Sequence, residues 1–282
     1  MDLGLTPTLS VQGVTVPTLI YGTAWKEDET ATCVSAALDA GFRGIDTANQ
    51  RKHYHEAGVG EALAPFLAKH PRDAVFLQTK YTYARGQDHR LPYDPALPPA
   101  AQVPQSVASS RIHLGVECLD SLVLHGPESR EGLTATDRDV WRAMEAAVAA
   151  GQARLLGVSN VSATQLAELH SFATVKPTFV QNRCYASTGW DAATRAFCRQ
   201  QGLIYQGFSL LTANRSVWNH KEVAAIARRE QATPAQVILR FAQHIGILPL
   251  TGTTDPAHMR ADLDLGRVRL SADEIARIER LG

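Results

Sequence analysis

The chain alternates strand-like and helix-like segments eight times, and no other feature restricts its fold as much. Short apolar runs stand at Thr18–Thr23, Gly44–Ala48, Val75–Lys80, Asp120–His125, Leu155–Asn160, Phe179–Asn182, Ile204–Ser209 and Leu248–Thr251. Amphipathic stretches lie between them. Asp28–Ala40 stops at Gly41, Glu56–Leu67 near Pro71, Val103–Leu114 at Gly115, Asp137–Ala150 at Gly151 and Asp191–Gln201 at Gly202. Glycine just past a helix takes the left-handed conformation that ends it. Ser162 reads as the cap of a helix over Ser162–Ser171, and Thr233-Pro234 as a cap followed by proline at the first helical position. Ser271-x-x-Glu274 is a capping box. Eight strand–helix units predict a closed (β/α)8 TIM barrel, for which 282 residues is an ordinary length. A doubly wound sheet competes, but its first turn would be Gly22-Thr23-Ala24-Trp25, which lacks the glycines of a dinucleotide-binding loop.

Ahead of the alternation, Thr8–Val11 and Val14–Val16 flank Gln12-Gly13 and predict a β-hairpin that plugs the closed end of the barrel. Tyr81–Val103 and Gly126–Thr136 are expected to be long irregular loops of the kind that contact substrate. No composition shift divides the chain, so residues 1–282 are expected to form a single domain. Lys and Arg total 28, as do Asp and Glu, so no net charge points to nucleic acid or to an anionic membrane. No apolar run is long enough for a membrane span, and MDLGLTPTLSV lacks the pattern of a signal peptide. The four cysteines lie far apart with no C-x-x-C pair, as expected of reduced thiols in the cytoplasm, and no metal site is expected.

In a parallel barrel the active site forms at the carboxyl ends of the strands. Asp46, Lys80 and His125 end the second, third and fourth candidate strands, and Tyr54 follows the second. All four are therefore able to face one cavity. Such a set suits carbonyl reduction. The carbonyl oxygen gains negative charge as hydride arrives and must be protonated. A tyrosine, with a reference pKa near 10, holds a proton at neutral pH. Lys80 beside it would draw its pKa toward the working range, and Asp46 would hold Lys80. His125 would hydrogen-bond the carbonyl oxygen and orient it.

Further segments strengthen this reading: Gly22–Trp25 (GTAW), GFRGIDTA at 41–48, Tyr54 with EAGVG at 56–60, QTK at 78–80, LVLHGP at 122–127 and GVSN at 157–160. In order and spacing the chain resembles the aldo-keto reductase family over nearly its whole length. The resemblance implies NADPH, with NADH as the alternative, bound without a Rossmann fold. It implies Gly22, Thr23 and Ala24 as cofactor contacts, Ser159, Asn160 and Gln181 on the carboxamide, and Phe208 stacked on the nicotinamide. Ser209, Leu211 and Arg215 would line the pyrophosphate loop. Thr251, Thr253, His258, Arg260 and Asp262 would surround the far end of the cofactor. Trp25, Tyr81 and Gly126 would wall the substrate pocket. A small-molecule carbonyl compound is the expected partner, and a monomer the expected state.

The chain departs from the family's usual pattern in places. The stretch between Asp46 and Tyr54 is longer, Gly126 stands where many members have tryptophan, and Leu250 where many have lysine. The chain ends at Gly282 without the long C-terminal loop of some members, which implies a more open site. Two rival readings compete: a cofactor-binding regulatory subunit with weak catalysis, and a metal-dependent barrel hydrolase built on His53, His55, His125 and a carboxylate. His53 and His55 are otherwise expected to be ordinary loop residues. Trp190 and Trp218 fit pocket walls and helix packing equally well.

Overall fold

The computed structural model describes residues 7–282. A hairpin of β1 (Thr8–Val11) and β2 (Val14–Pro17) precedes a closed parallel barrel. The barrel runs through β3 (Ile20–Gly22), β4 (Gly44–Asp46), β5 (Phe76–Tyr81), β6 (Leu119–Leu124), β7 (Ala153–Ser159), β8 (Phe179–Arg183), β9 (Ile204–Phe208) and β10 (Ile247–Thr251), with β10 returning to pair with β3. The expected (β/α)8 architecture is what forms. Several strands are shorter than the apolar runs that announced them: Ile20–Gly22 occupies the run Thr18–Thr23, and Gly44–Asp46 the run Gly44–Ala48.

The helices form an outer layer. They are α1 (Thr30–Ala40), α2 (Glu56–Leu67), α3 (Pro99–Leu114), α4 (Ala135–Ala149), α5 (Ala163–Phe172), α6 (Ala192–Gln201), α7 (Arg215–Trp218), α8 (Lys221–Arg229), α9 (Pro234–His244), α10 (Pro256–Leu263) and α11 (Ala272–Glu279). Capping boxes built on Thr134, Ser162, Thr233 and Ser271 open four of them, each tying two orphan backbone groups to side chains. Gly41, Gly115 and Gly202 end helices in the left-handed conformation.

Helix α3 begins four residues earlier than Val103, so the expected loop Tyr81–Val103 is really 82–98. Pro99 fits the first turn, where its missing N–H would be unpaired anyway. Pro104 lies inside the helix, and burial of Val103 and Val107 against the barrel offsets its lost hydrogen bond. A three-residue 3-10 turn, Glu27–Glu29, occupies the expected start of the first helix.

Strand alternation sorts the core into two parts. Along β5, Phe76, Gln78 and Lys80 point into the barrel, while Leu77, Thr79 and Tyr81 point to the helix layer. Inside, Phe76, Leu155, Phe179 and Leu248 meet Val14 and Val16 of the hairpin, which plugs one end as expected. Outside, one continuous apolar layer joins strands to helices; Trp190 is sealed within it against Phe241.

The tightest helix approach is at Gly60 in α2. A Cβ there would lie 1.8 Å from the His113 carbonyl oxygen of α3. Only the absence of a side chain permits this contact. Gly60→Ala is expected to cost about 2–3 kcal/mol through overpacking against rigid backbone, to be read as a lowered midpoint in urea unfolding.

Candidate active site

All eight barrel strands send a residue at or just past their carboxyl ends into one cavity of 1610 Å³. Ordinary small-molecule pockets span about 300–1,000 Å³, so this one has room for a large ligand beside a small one. Three residues that line it have left-handed backbone without being glycine: Trp25 (φ 62°), Asn160 (φ 55°) and Ser209 (φ 57°). Each follows β3, β7 or β9 within three residues. Such conformations are uncommon for side-chain-bearing residues and concentrate at functional sites.

Register brings the tetrad together. Asp46 pairs with Gln78 across β4 and β5, and Lys80 lies two residues further on the same inward face. The His125 backbone N–H donates to the Tyr81 carbonyl, which sets His125 one step above β5. The loop after β4 climbs through Thr47 N–H to Gln78 O and Asn49 N–H to Lys80 O. It then turns so that Tyr54 N–H donates to Gln50 O. The longer stretch before Tyr54 is absorbed in this turn.

Lys80 and Asp46 form a buried ion pair, Nζ to Oδ2 at 2.6 Å. Lys80 also donates to Thr47 O at 2.7 Å. The other Asp46 oxygen accepts from Gln78 Nε2 at 2.7 Å and Gln181 Nε2 at 3.0 Å. Gln78 and Gln181 both donate to Gln206, so three amides form a belt below the tetrad. Every partner is fixed, which a buried charge pair requires if it is not to be destabilising.

Lys80 Nζ lies 5.2 Å from the centre of the Tyr54 ring, and the rings of Tyr54 and His125 meet edge-on at 5.9 Å. Tyr54 Oη has no protein hydrogen-bond partner among the described residues and borders the cavity. Its pKa is pushed up, mainly by burial and then by the Asp46 charge. The expected lowering by Lys80 is therefore not what this geometry produces. Asp46 neutralises Lys80, and burial pushes the ammonium's own pKa down. Tyr54 stands as a protonated phenol, suited to donate a proton. His125 is pushed down to about 3 by burial, then by Lys80 and His53, so the imidazole is neutral.

Most of the other expected residues reach the cavity. Gly22, Ala24 and Trp25 line one wall, with the Trp25 and His53 rings tilted against each other at 3.9 Å. Ser159, Asn160 and Gln181 line another, where Ser159 Oγ donates to Gln181 O and Asn160 Nδ2 to His125 O. Phe208, Ser209, Leu211 and Gly126 also border it. At its far end lie Thr251, Thr253, His258 and Asp262. Thr251 Oγ1 donates to Asp262, whose carboxyl burial pushes up to about 6. Polar side chains thus cluster beside one aromatic face, and a polar cleft leads away from them. A nicotinamide dinucleotide fits that donor set.

Three expectations need correction. Tyr81 does not wall the pocket. As the neighbour of the inward Lys80 it points outward, where its hydroxyl donates to Pro99 O and Gln102 Oε1 of α3. Thr23 is buried behind the wall, its N–H and hydroxyl both donating to the Asp46 carbonyl. Arg215 and Arg260 lie on helices and are not among the cavity-lining residues. His53, expected to be an ordinary loop residue, lines the cavity, as does Trp218, which fitted wall and packing equally well, and so do Thr82 and Tyr83, which no motif singled out. For Thr82 a signal existed, because it stands two residues beyond Lys80 and so shares its face. Among the described residues, no group of three His, Cys, Asp or Glu is placed to hold a metal ion. None of their helices is long and apolar enough to cross a membrane.

The depressed pKa of His125 has a measurable consequence. Its folded value lies below the ordinary 6.5, so below that pH the unfolded chain takes up a proton that the folded protein refuses. The stability contribution of His125 is thus intact above 6.5 and is lost as pH falls toward 3. In NMR titration between pH 5 and 8, His125 should show no change of charge; a midpoint near 6.5 would contradict the geometry.

Comparison with known proteins agrees. The family model described as the aldo/keto reductase family matches residues 18–282. Deoxymugineic acid synthase 1-A of Triticum aestivum is 31% identical, covering 93% of this chain and 87% of that one. An aldo/keto reductase of Brucella melitensis superposes with a TM-score of 0.83 at 24% identity, covering 98% of this chain and 100% of that one. An aldo-keto reductase of Bombyx mori, solved in complex with NADP, superposes at 0.81 with 23% identity, covering 98% and 93%. The chain belongs to the aldo/keto reductase family and is an NAD(P)H-dependent oxidoreductase of carbonyl compounds.

Proposed function

We propose that Tyr54 is the general acid of this reductase, that His125 orients the carbonyl oxygen, and that Lys80 and Asp46 support Tyr54 from behind. The carrying observation is a phenol with no protein hydrogen-bond partner among the described residues. It borders the cavity and lies edge-on to a neutral imidazole, above a sealed ion pair. When bound, a reduced nicotinamide supplies hydride to the carbonyl carbon. The protein's share is then to place the carbonyl oxygen between Tyr54 and His125. Tyr54 gives up its proton as charge grows on that oxygen. Lys80 and Asp46 meanwhile form a fixed floor that holds Tyr54 at the cavity edge without moving.

Ser159, Asn160 and Gln181 are the proposed carboxamide contacts and Phe208 the proposed stacking partner. Thr251, Thr253, His258 and Asp262 are proposed at the far end of NADPH. Gly22, Ala24, Ser209 and Leu211 are proposed along the cofactor between them, and Trp25 and Gly126 beside the substrate. The NADP complex of the Bombyx mori relative supports NADPH. NADH is the alternative, because Leu250 offers no positive charge at that end. A cytoplasmic monomer that forms one domain completes the reading, supported by the balanced charge.

Tyr54→Phe is expected to lower kcat about 10²- to 10⁴-fold, the range of general acid–base catalysis, with NADPH affinity nearly unchanged. Retention of most activity would remove Tyr54 as the acid. Lys80→Met should suppress turnover and also destabilise the fold by about 3–5 kcal/mol, because Asp46 is left buried without its partner. Steady-state kinetics and urea unfolding read the two effects separately.

A further inference from the structure

We propose that Thr82 is a positioning residue, whose hydroxyl donates to His125 Nδ1 and thereby holds the imidazole as the tautomer that presents Nε2–H to the carbonyl oxygen. This inference rests on the proposed role of His125 and goes beyond it.

Thr82 Oγ1 lies 2.7 Å from His125 Nδ1, and no other acceptor for its proton lies within reach among the described residues. Two arrangements satisfy that distance. In one, Thr82 donates and Nδ1 accepts, which leaves the proton on Nε2. In the other, Nδ1–H donates to the hydroxyl. The threonine proton then has no acceptor, and Nε2 carries a bare lone pair. Nε2 makes no hydrogen bond to any described residue, and it is not among the sealed polar atoms, so it is open to the cavity. A bare lone pair there would repel a carbonyl oxygen, whereas an N–H would bind it more strongly as negative charge develops. The first arrangement satisfies every group. Neutral imidazole chemistry makes the choice matter, because only one ring nitrogen carries a proton.

The hydroxyl is aimed by its surroundings. Thr82 is buried, two residues beyond Lys80 on the inward face of the chain leaving β5. Its methyl group packs against Gly86, where an added Cβ would come within 2.8 Å of Thr82 Cγ2. Its backbone carbonyl accepts from Tyr93 Oη at 2.6 Å. With methyl and backbone both fixed, the remaining substituent faces His125. On the other side the ring meets the Tyr54 edge, and Asn160 Nδ2 holds the His125 carbonyl at 2.8 Å. Threonine is thus the one group that sets which nitrogen is protonated.

The test uses the full-length protein, with two variants and two readouts. Long-range proton–nitrogen NMR of the nitrogen-labelled protein reports the tautomer, the His125 signals being identified by their loss in His125→Asn. The wild type should show a protonated Nε2 and a bare Nδ1. Thr82→Val keeps the shape and removes the hydroxyl. It should disturb that pattern and lower kcat/KM for the carbonyl about five- to tenfold, the worth of one hydrogen bond. The loss should fall mainly in kcat, because the lost interaction strengthens in the transition state. Cofactor affinity, which a merely structural defect would move, should stay constant. Thr82→Ser should restore both readouts. A protonated Nδ1 in the wild type overturns the proposal, as does Thr82→Val with unchanged spectrum and kinetics, or Thr82→Ser as impaired as Thr82→Val. Should Thr82→Val not fold, the wild-type spectrum and Thr82→Ser still decide. The spectrum is read without turnover, so a His125 that carries the expected tautomer but does not orient the carbonyl is distinguishable from failure of the tautomer itself.

Discussion

The site depends on one interaction, the sealed ion pair between Lys80 and Asp46. A lone ammonium inside the barrel would be intolerable, and a lone carboxylate equally so. Together, with Gln78, Gln181 and the Thr47 carbonyl filling their remaining positions, they form a rigid polar floor. Tyr54 rests above that floor. Burial above that floor, and then the Asp46 charge, keep the phenol protonated in the resting protein. Lys80 Nζ sits 5.2 Å from the centre of the Tyr54 ring, so the pair gives Tyr54 a fixed, charged support.

The barrel makes this floor possible. Parallel strands place Asp46, Lys80 and His125 at neighbouring carboxyl ends, and the hairpin closes the other end with valines. The inward residues therefore change from apolar at the plug to polar at the mouth. Along β5 this change runs from Phe76 through Gln78 to Lys80 within five residues. Left-handed residues at the mouth, such as Asn160 and Ser209, are held by the strands beneath them. The fold's stability is spent where the chemistry needs fixed geometry.

Much of this was legible in the sequence. Eight apolar runs, the glycine stops and the capping residues announced the barrel, and the tetrad could be read from the polar residues that end three runs and follow one. The failures have physical causes. Tyr81 was expected in the pocket from the resemblance, although alternation sends the neighbour of an inward lysine to the opposite face. The start of α3 was expected at Val103 but lies at Pro99, because proline fits a first helical turn and burial of Val103 and Val107 carries the helix past Pro104. His53 was set aside because no metal partners accompany it, while its ring contact with Trp25 depends on a turn no motif encodes. The tautomer of His125 is fixed by Thr82, a residue 43 positions away.

The central claim is that this cavity moves hydride from a nicotinamide to a carbonyl carbon. Rapid mixing of the NADPH-loaded protein with an aldehyde tests it most directly, by following the absorbance of the reduced nicotinamide within one turnover. The account predicts oxidation of the bound cofactor that saturates with aldehyde concentration. Bound cofactor that stays reduced across a broad panel of aldehydes and ketones would contradict it.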